Sequence, residues 1–248
     1  MPRSSSNNPR LAEQTTGFRT VLAVIAITIG YVLNPLNGSL AVTAYPQLSE
    51  FFGVPYARMS AMVMYFMAAT AVGQPLAGGL GDLLGRKNIF LVGILGFTFA
   101  SAVAANAQSF DSLLLWRVTQ AVFSGVIMAN GMALVAQVAP REKIGTCVGF
   151  LNSAFVASTV LGFTVGGLLL QAFDWPILFQ LNVPLGAIAF VLAFFFIPGD
   201  PRRNVRFTAL SFLGVPILPL ALGLQALVQG EPVVPYVSAF LLALAVIA

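Results

Sequence analysis

The chain has 248 residues, 58% of them hydrophobic and 8% charged, with 12 Lys+Arg against 8 Asp+Glu and a mean hydropathy of +0.90. A water-facing domain carries about 25% charged residues, so this composition excludes a soluble globular protein and makes the bilayer the solvent. There is no His and a single Cys, Cys147, which excludes an internal disulfide, a His general base and the usual soft-metal ligand sets; no metal or cofactor is expected, and Cys147 is read as inert.

A hydrocarbon core of about 30 Å takes roughly 20 apolar residues at 1.5 Å of helix rise each. Residues 1–18 are polar and rich in Ser and Asn, the composition of a short disordered tail. Apolar runs follow at 20–44, 59–84, 89–105, 113–139, 144–173, 177–197 and 210–228, and a shorter one at 235–248. The first run ends in Val42-Thr43-Ala44, a small-residue pattern that signal peptidase accepts. It is too long for a signal peptide and carries Asn34-Pro35, so it is read as a retained span. The last run covers 14 residues, about 21 Å of helix, and ends without a polar flank, so the chain is expected to be a fragment of something longer.

With the N-terminus placed in the cytoplasm, ten cations fall inside: Arg3, Arg10, Arg19, Arg86, Lys87, Arg141, Lys143, Arg202, Arg203 and Arg206. Only Arg58 falls outside, while the acids divide evenly, with Glu13, Asp82, Glu142 and Asp200 inside and Glu50, Asp111, Asp174 and Glu231 outside. A bias confined to Lys and Arg is the positive-inside pattern of a multi-pass plasma (inner) membrane protein. The net charge of +4 is therefore topology, and no nucleic-acid partner is expected. The remaining cation, Arg117, lies inside the fourth run.

Between the second and third runs stands Gly78-Gly79-Leu80-Gly81-Asp82-Leu83-Leu84-Gly85-Arg86-Lys87. The glycines allow close approach and a sharp turn, Asp82 can accept hydrogen bonds at a helix end, and Arg86 and Lys87 anchor a cytoplasmic face. The plainer alternative is a charged turn that only fixes topology. The segment resembles the G-x-x-x-D-x-x-G-R-K loop signature of the major facilitator superfamily, through Gly78, Asp82, Gly85, Arg86 and Lys87, with Leu83 where a cation is usual.

In the fourth run, Arg117-Val118-Thr119-Gln120 is similar to that family's R-x-x-Q-G element, with Ala121 in place of the last Gly. Arg117 is six residues from Asp111, about 9 Å below the outer surface. A charge at such depth faces a wet cavity or a partner by default, with snorkelling to the headgroups as the alternative. The fifth run carries Gly162-Phe163-Thr164-Val165-Gly166-Gly167, similar to the antiporter motif G-P-x-x-G-G with Phe163 replacing Pro. Small residues four apart suit close helix crossing, so Gly162, Gly166 and Gly167 are expected to pack helices. Trp175 and then Phe179-Gln180-Leu181-Asn182-Val183-Pro184-Leu185-Gly186 resemble the W-x-W-I-F-x-I-N-x-P-x-G stretch of the fourteen-span drug:proton antiporters, and are read as a bent entry into the sixth run.

The first run departs most from the family. Leu36-Asn37-Gly38-Ser39-Leu40 to Tyr45-Pro46 aligns with L-D-x-T-I-V-N-x-A-L-P, and Asn37 stands where the family has an acid. An amide does not titrate, so the proton carrier is missing. Asn37 is about 27 Å along the helix from Arg19, at a depth comparable with Arg117, which makes a hydrogen bond between the two geometrically feasible. Asn34, Gln74, Asn130 and Asn152 are further polar residues at mid-depth. Asn34, Asn130 and Asn152 are candidates for a substrate or gating cavity with Asn37, Arg117 and Gln120, and the bland alternative for these mid-depth residues is helix-to-helix hydrogen bonding.

The resemblance implies an all-α membrane protein. Residues 19–198 would form the N-terminal six-helix bundle of a major facilitator transporter, built from two inverted three-helix repeats. A cytoplasmic loop at 199–209 and additional spans at 210–248, the last incomplete, would follow. The implied function is alternating-access transport, foremost efflux of hydrophobic or amphiphilic compounds. The lipid bilayer, a small-molecule substrate, the missing C-terminal half and protons are the expected partners. A uniporter or importer of an anionic solute and a non-transporting scaffold or sensor are the alternatives. An intramembrane enzyme ranks last, because the runs hold no nucleophile and base pair or metal set.

Overall fold

The computed structural model describes residues 9–199. Residues 1–8, most of the expected cytoplasmic loop and the apolar runs at 210–228 and 235–248 lie outside the described residues. Among the described residues the regular structure is helical: α1 (Pro9–Thr43), α2 (Tyr45–Phe52), α3 (Tyr56–Leu84), α4 (Arg86–Ala104), α5 (Phe110–Val138), α6 (Ile144–Leu169), α7 (Pro176–Gln180) and α8 (Asn182–Phe196), with a 3-10 turn at Arg141–Lys143. Six stretches are long and apolar enough to cross a bilayer: Gly17–Thr43, Tyr56–Leu84, Arg86–Ala104, Phe110–Val138, Arg141–Leu169 and Pro176–Phe196. In the last of these α7 and α8 form one span broken at Leu181, three residues before Pro184.

Three local features differ from the sequence reading. Helix α1 begins at Pro9, so residues 9–18, expected in a disordered tail, are helical. Leu11, Ala12, Glu13 and Gln14 are good helix formers and proline suits a first turn, which outweighs the polar composition. Helix α2 occupies what read as a loop after the first run. It is too short and polar to signal a span, yet it buries Tyr45 and Leu48 and ends at Gly53 in the left-handed conformation. The Gly78 to Lys87 segment is hardly a loop at all, because α3 continues to Leu84 and α4 starts at Arg86. Gly85 alone makes the reversal, with φ 94° and ψ 127°, a conformation open to glycine and costly for other residues.

The bundle is held by a symmetric set of helix pairs. Helix α1 packs on α6, α3 on α5, and α4 on α8. Exchanging the first three spans (α1, α3, α4) for the second three (α5, α6, α7–α8) leaves that list unchanged, and it also exchanges the α4·α5 contact for α1·α8. An odd number of spans per repeat makes the second start from the opposite side of the membrane, so the pairing is that of two inverted repeats.

Without water to drive them together, membrane helices associate through close backbone approach and packing. At Gly162 of α6 an added Cβ would collide with Ser39 Oγ and come within 2.8 Å of Leu36 O of α1; at Gly166 it would reach Thr43 Oγ1 at 3.1 Å. At Gly125 of α5 it would lie 2.5 Å from Thr70 O of α3. Gly167, expected to pack with Gly162 and Gly166, has nothing within 4 Å of an added Cβ: on a helix it sits about 100° around from Gly166 and off the α1 seam. Two apolar clusters fill the ends of the bundle. One gathers Leu40, Tyr45, Leu48, Met62, Leu113, Trp175 and Phe179; the other gathers Ile27, Tyr31, Phe90, Ile94, Phe97, Ile127 and Leu151.

Candidate functional site

Between the two clusters lies a buried polar network contributed by four spans. Arg117 of α5 is 2% exposed, and its Nη1 donates to Gln120 Oε1 at 2.7 Å, one helical turn on. The Gln120 amide then donates to Asn37 Oδ1 of α1 at 3.2 Å and to Ser101 Oγ of α4. Asn182, the first residue of α8, donates to the same Asn37 Oδ1 at 2.9 Å. One amide oxygen of α1 thus gathers donors from α5 and α8. Arg117 and Asn37, at depths that make a direct bond feasible, are joined instead through Gln120, whose amide both accepts and donates.

The surroundings of Arg117 are apolar. Its guanidinium carbon stands 4.4 Å from the centre of the Phe66 ring and 5.6 Å from that of Phe179, both cation–π distances. Its Nε is buried without a hydrogen-bond partner, and Arg117 forms no ion pair among the described residues. Enclosure between aromatic faces rules out snorkelling. On α2, burial pushes the Tyr45 phenol above its ordinary value of 10.0 and the proximity of Tyr56 adds to the shift, while the positive charge of Arg117 opposes it.

A cavity of about 340 Å³ opens beside this network, walled by Arg117, Phe66, Met67, Phe155, Phe163 and Asn34. A second, of about 370 Å³, shares Asn34, Phe66 and Met67 and extends to Thr70, Gln74 and Met128. Asn34 Nδ2 lies 2.6 Å from Met128 Sδ, which fixes the amide at the junction of the two. Of the residues the sequence singled out for a cavity, Asn34, Asn37, Arg117 and Gln120 come together here. Asn130 does not: its Nδ2 donates to Ala77 O at 3.2 Å and to Val126 O at 3.0 Å, tying α5 to α3 beside Gly81. Asn152 is exposed on α6 and lines neither cavity. A mid-helix depth does not specify azimuth, and both residues point away from the site.

Asn182 and Ser101 were missed as site residues. Asn182 was visible in the Asn-x-Pro sequence as a helix entry, and the break at Leu181 turns its amide inward. Ser101 gave no signal, because a lone serine in an apolar run is commonly bonded back to its own helix, as its hydroxyl also is here, to Phe97 O at 2.8 Å.

At the Gly85 end the charged motif resolves into two contacts. Arg86 forms an ion pair with Asp82 at 2.7 Å, one turn apart. Lys87 crosses to α8 and donates to Phe194 O at 2.7 Å and Ile197 O at 2.6 Å, with the Phe194 ring centre 5.5 Å from Nζ. It therefore caps the otherwise unpaired carbonyls at the end of α8. Gly78 has no neighbour within 4 Å of an added Cβ, and the tight position is Gly81, where that atom would collide with Asn130 Oδ1.

The family model of the Major Facilitator Superfamily matches residues 27–248. The chain belongs to this superfamily. An uncharacterized MFS-type transporter, YwoD of Bacillus subtilis, is 33% identical over 179 residues, covering 72% of this chain and 39% of that protein. The riboflavin transporter RibZ of Clostridioides difficile is 28% identical, over 71% of this chain and 39% of its own length. The putative multidrug resistance protein MdtD of Pectobacterium atrosepticum is 28% identical, over 79% and 43%. The chain thus spans about two-fifths of the length of these relatives. Among solved structures, the human organic anion transporter MFSD10 matches with a TM-score of 0.63 at 22% identity, over 81% of this chain and 55% of that one. That likeness shows the shared fold. The superfamily is one of transporters, not enzymes, and its members are multi-pass membrane proteins, as the six apolar spans require here.

Proposed function

We propose that this chain is the N-terminal bundle of a secondary transporter of the plasma (inner) membrane, with its N-terminus in the cytoplasm, that exports hydrophobic or amphiphilic small molecules by alternating access. The observation that carries the reading is the juxtaposition of a four-span polar network with a cavity of about 340 Å³ walled by Phe66, Met67, Phe155 and Phe163. Apolar and aromatic walls with a few convergent polar groups are the usual makeup of a small-molecule site. Relatives named for multidrug resistance support the choice of amphiphilic cargo, and one named for riboflavin marks how far substrates diverge at this level of identity.

In this reading the two bundles of the whole protein rock about the site. Lys87 fixes the end of α8 to the start of α4 so that the third spans of both repeats move together. Arg117, Gln120 and Asn37 brace α5 against α1, while Asn34 lines the path. No Asp or Glu lies mid-span among the described residues: Asp82 is near the end of α3 and Asp111 near the start of α5. This bundle therefore supplies no mid-span proton carrier. Counterflow of a labelled amphiphile into vesicles carrying the native gene product tests the reading; the reading expects saturable exchange, and leak equal to that of empty vesicles refutes it.

A further inference from the structure

We propose that the cavity beside Arg117 selects amphiphilic organic anions, an acid group on an aromatic or aliphatic body, with the guanidinium receiving the acid. The proposal deepens the transport reading by naming the charge of the cargo. Arg117 is 2% exposed, has no ion pair among the described residues and keeps its Nε unpartnered. Among the described residues its hydrogen-bonding partner is a neutral amide oxygen, on Gln120. A buried cation left without counter-charge is among the most expensive groups a membrane protein can hold, and aromatic faces offset only part of that cost.

The residue that approaches from α1 does not supply the missing charge. Asn37 is an amide, its oxygen is already taken by Gln120 and Asn182, and its own Nδ2 is a further buried donor without a partner. Among the described residues Arg117 Nε and Asn37 Nδ2 are both unpaired donors, and the unpaired acceptor of the network, Asn182 Oδ1, is a neutral amide oxygen that brings no counter-charge. An acid entering the cavity brings two oxygens and a negative charge, and a guanidinium presents a planar fork that matches them. Phe66, Met67, Phe155 and Phe163 give the wall an apolar face that suits the body of an amphiphile, and its other polar members, Asn34, Ser39, Tyr45 and Thr159, bring no carboxylate. A cationic cargo of the same shape would meet Arg117 as a like charge, and a neutral one would leave the fork unpaired.

The test measures equilibrium binding of three probes with one body, 2-naphthoate, 2-naphthamide and 2-naphthylmethylammonium, to the native gene product in detergent. The naphthoate should bind at least tenfold more tightly than the amide, and the ammonium more weakly than either. Arg117→Gln should bring the naphthoate down to the level of the amide, and Arg117→Lys should keep part of the preference. If Arg117→Gln does not fold, the wild-type ranking and the lysine variant decide. Equal binding of the three, tighter binding of the ammonium, no naphthoate binding at millimolar concentration, or a preference that survives Arg117→Gln would each overturn the proposal; equal binding is the result expected if another carboxylate of the protein already neutralises Arg117. Flux in vesicles separates the two claims. Naphthoate bound but not carried sinks the transport reading and leaves the anion site, whereas an ammonium probe carried while naphthoate does not bind sinks the anion site and leaves transport.

Discussion

Removing the Asn37 side chain as Asn37→Ala should loosen the junction of α1, α5 and α8 by an amount that follows from its bonds. Its oxygen accepts from Gln120 at 3.2 Å and from Asn182 at 2.9 Å. Interhelical hydrogen bonds in membrane proteins average about 0.6 kcal/mol and reach about 1.7, so two give roughly 1–3 kcal/mol. The loss falls unevenly. Gln120 keeps Ser101 as an acceptor, whereas Asn182 retains only a long contact to Leu178 O at 3.5 Å. Deleting the unpartnered Asn37 Nδ2 returns part of the cost, about 1 kcal/mol, which leaves a net destabilisation of up to about 2 kcal/mol. Denaturant unfolding in detergent, followed by the fluorescence of Trp116 and Trp175, measures it. A cycle of Asn37→Ala, Asn182→Ala and the double variant should then give a coupling of about 0.6–1.7 kcal/mol. Additivity within about 0.3 kcal/mol would mean that no bond joins the two amides, and the network would lose its central node.

Other consequences are equally direct. Gly162→Ala, driving a methyl into Ser39 Oγ and Leu36 O, should cost about 1–3 kcal/mol in thermal unfolding, while Gly167→Ala, with nothing within 4 Å, should be neutral. Gly81→Ala should be as damaging as Gly162→Ala, and Asn130→Ala should relieve it, since the collision is with that amide oxygen. Lys87→Met uncaps Phe194 O and Ile197 O and should destabilise the α8 end by up to about 2 kcal/mol, seen as faster hydrogen exchange in α8 than in α1. Asn37→Asp keeps both incoming bonds and adds a titratable group one amide away from Arg117; flux should acquire a pH dependence that the wild-type bundle does not supply, and an unchanged profile would argue that residue 37 is remote from the transport cycle.

The spans were legible because hydrocarbon imposes one requirement, a long apolar helix, and the sequence answers it with charged breaks at Arg58, Arg86 and Arg141. Helix α2 escaped because eight residues with Gln47 and Glu50 carry no such signal; it is fixed by burying Tyr45 and Leu48, which is a tertiary fact. Within the site, Arg117, Gln120 and Asn37 stood out because polar groups at mid-depth are costly and so are placed for a reason. What the sequence could not give was direction around the helix axis. Asn130 and Asn152 have the depth of site residues, but one ties α3 to α5 and the other faces outward, whereas Asn182 enters the network only because the helix breaks before Pro184. The glycine motif shows the same limit: Gly162 and Gly166 lie against α1 and Gly167 does not, because adjacent helical residues face about 100° apart.

The most direct measurement of the proposed activity is counterflow. Vesicles holding the native gene product and millimolar unlabelled 2-naphthoate are diluted into a trace of the labelled compound, and the label inside is followed over time. A transient accumulation above equilibrium, absent from protein-free vesicles and reduced by Arg117→Gln, is the predicted result. Label that enters no faster and no further than by leak, for naphthoate and for its amide and ammonium counterparts alike, would contradict it.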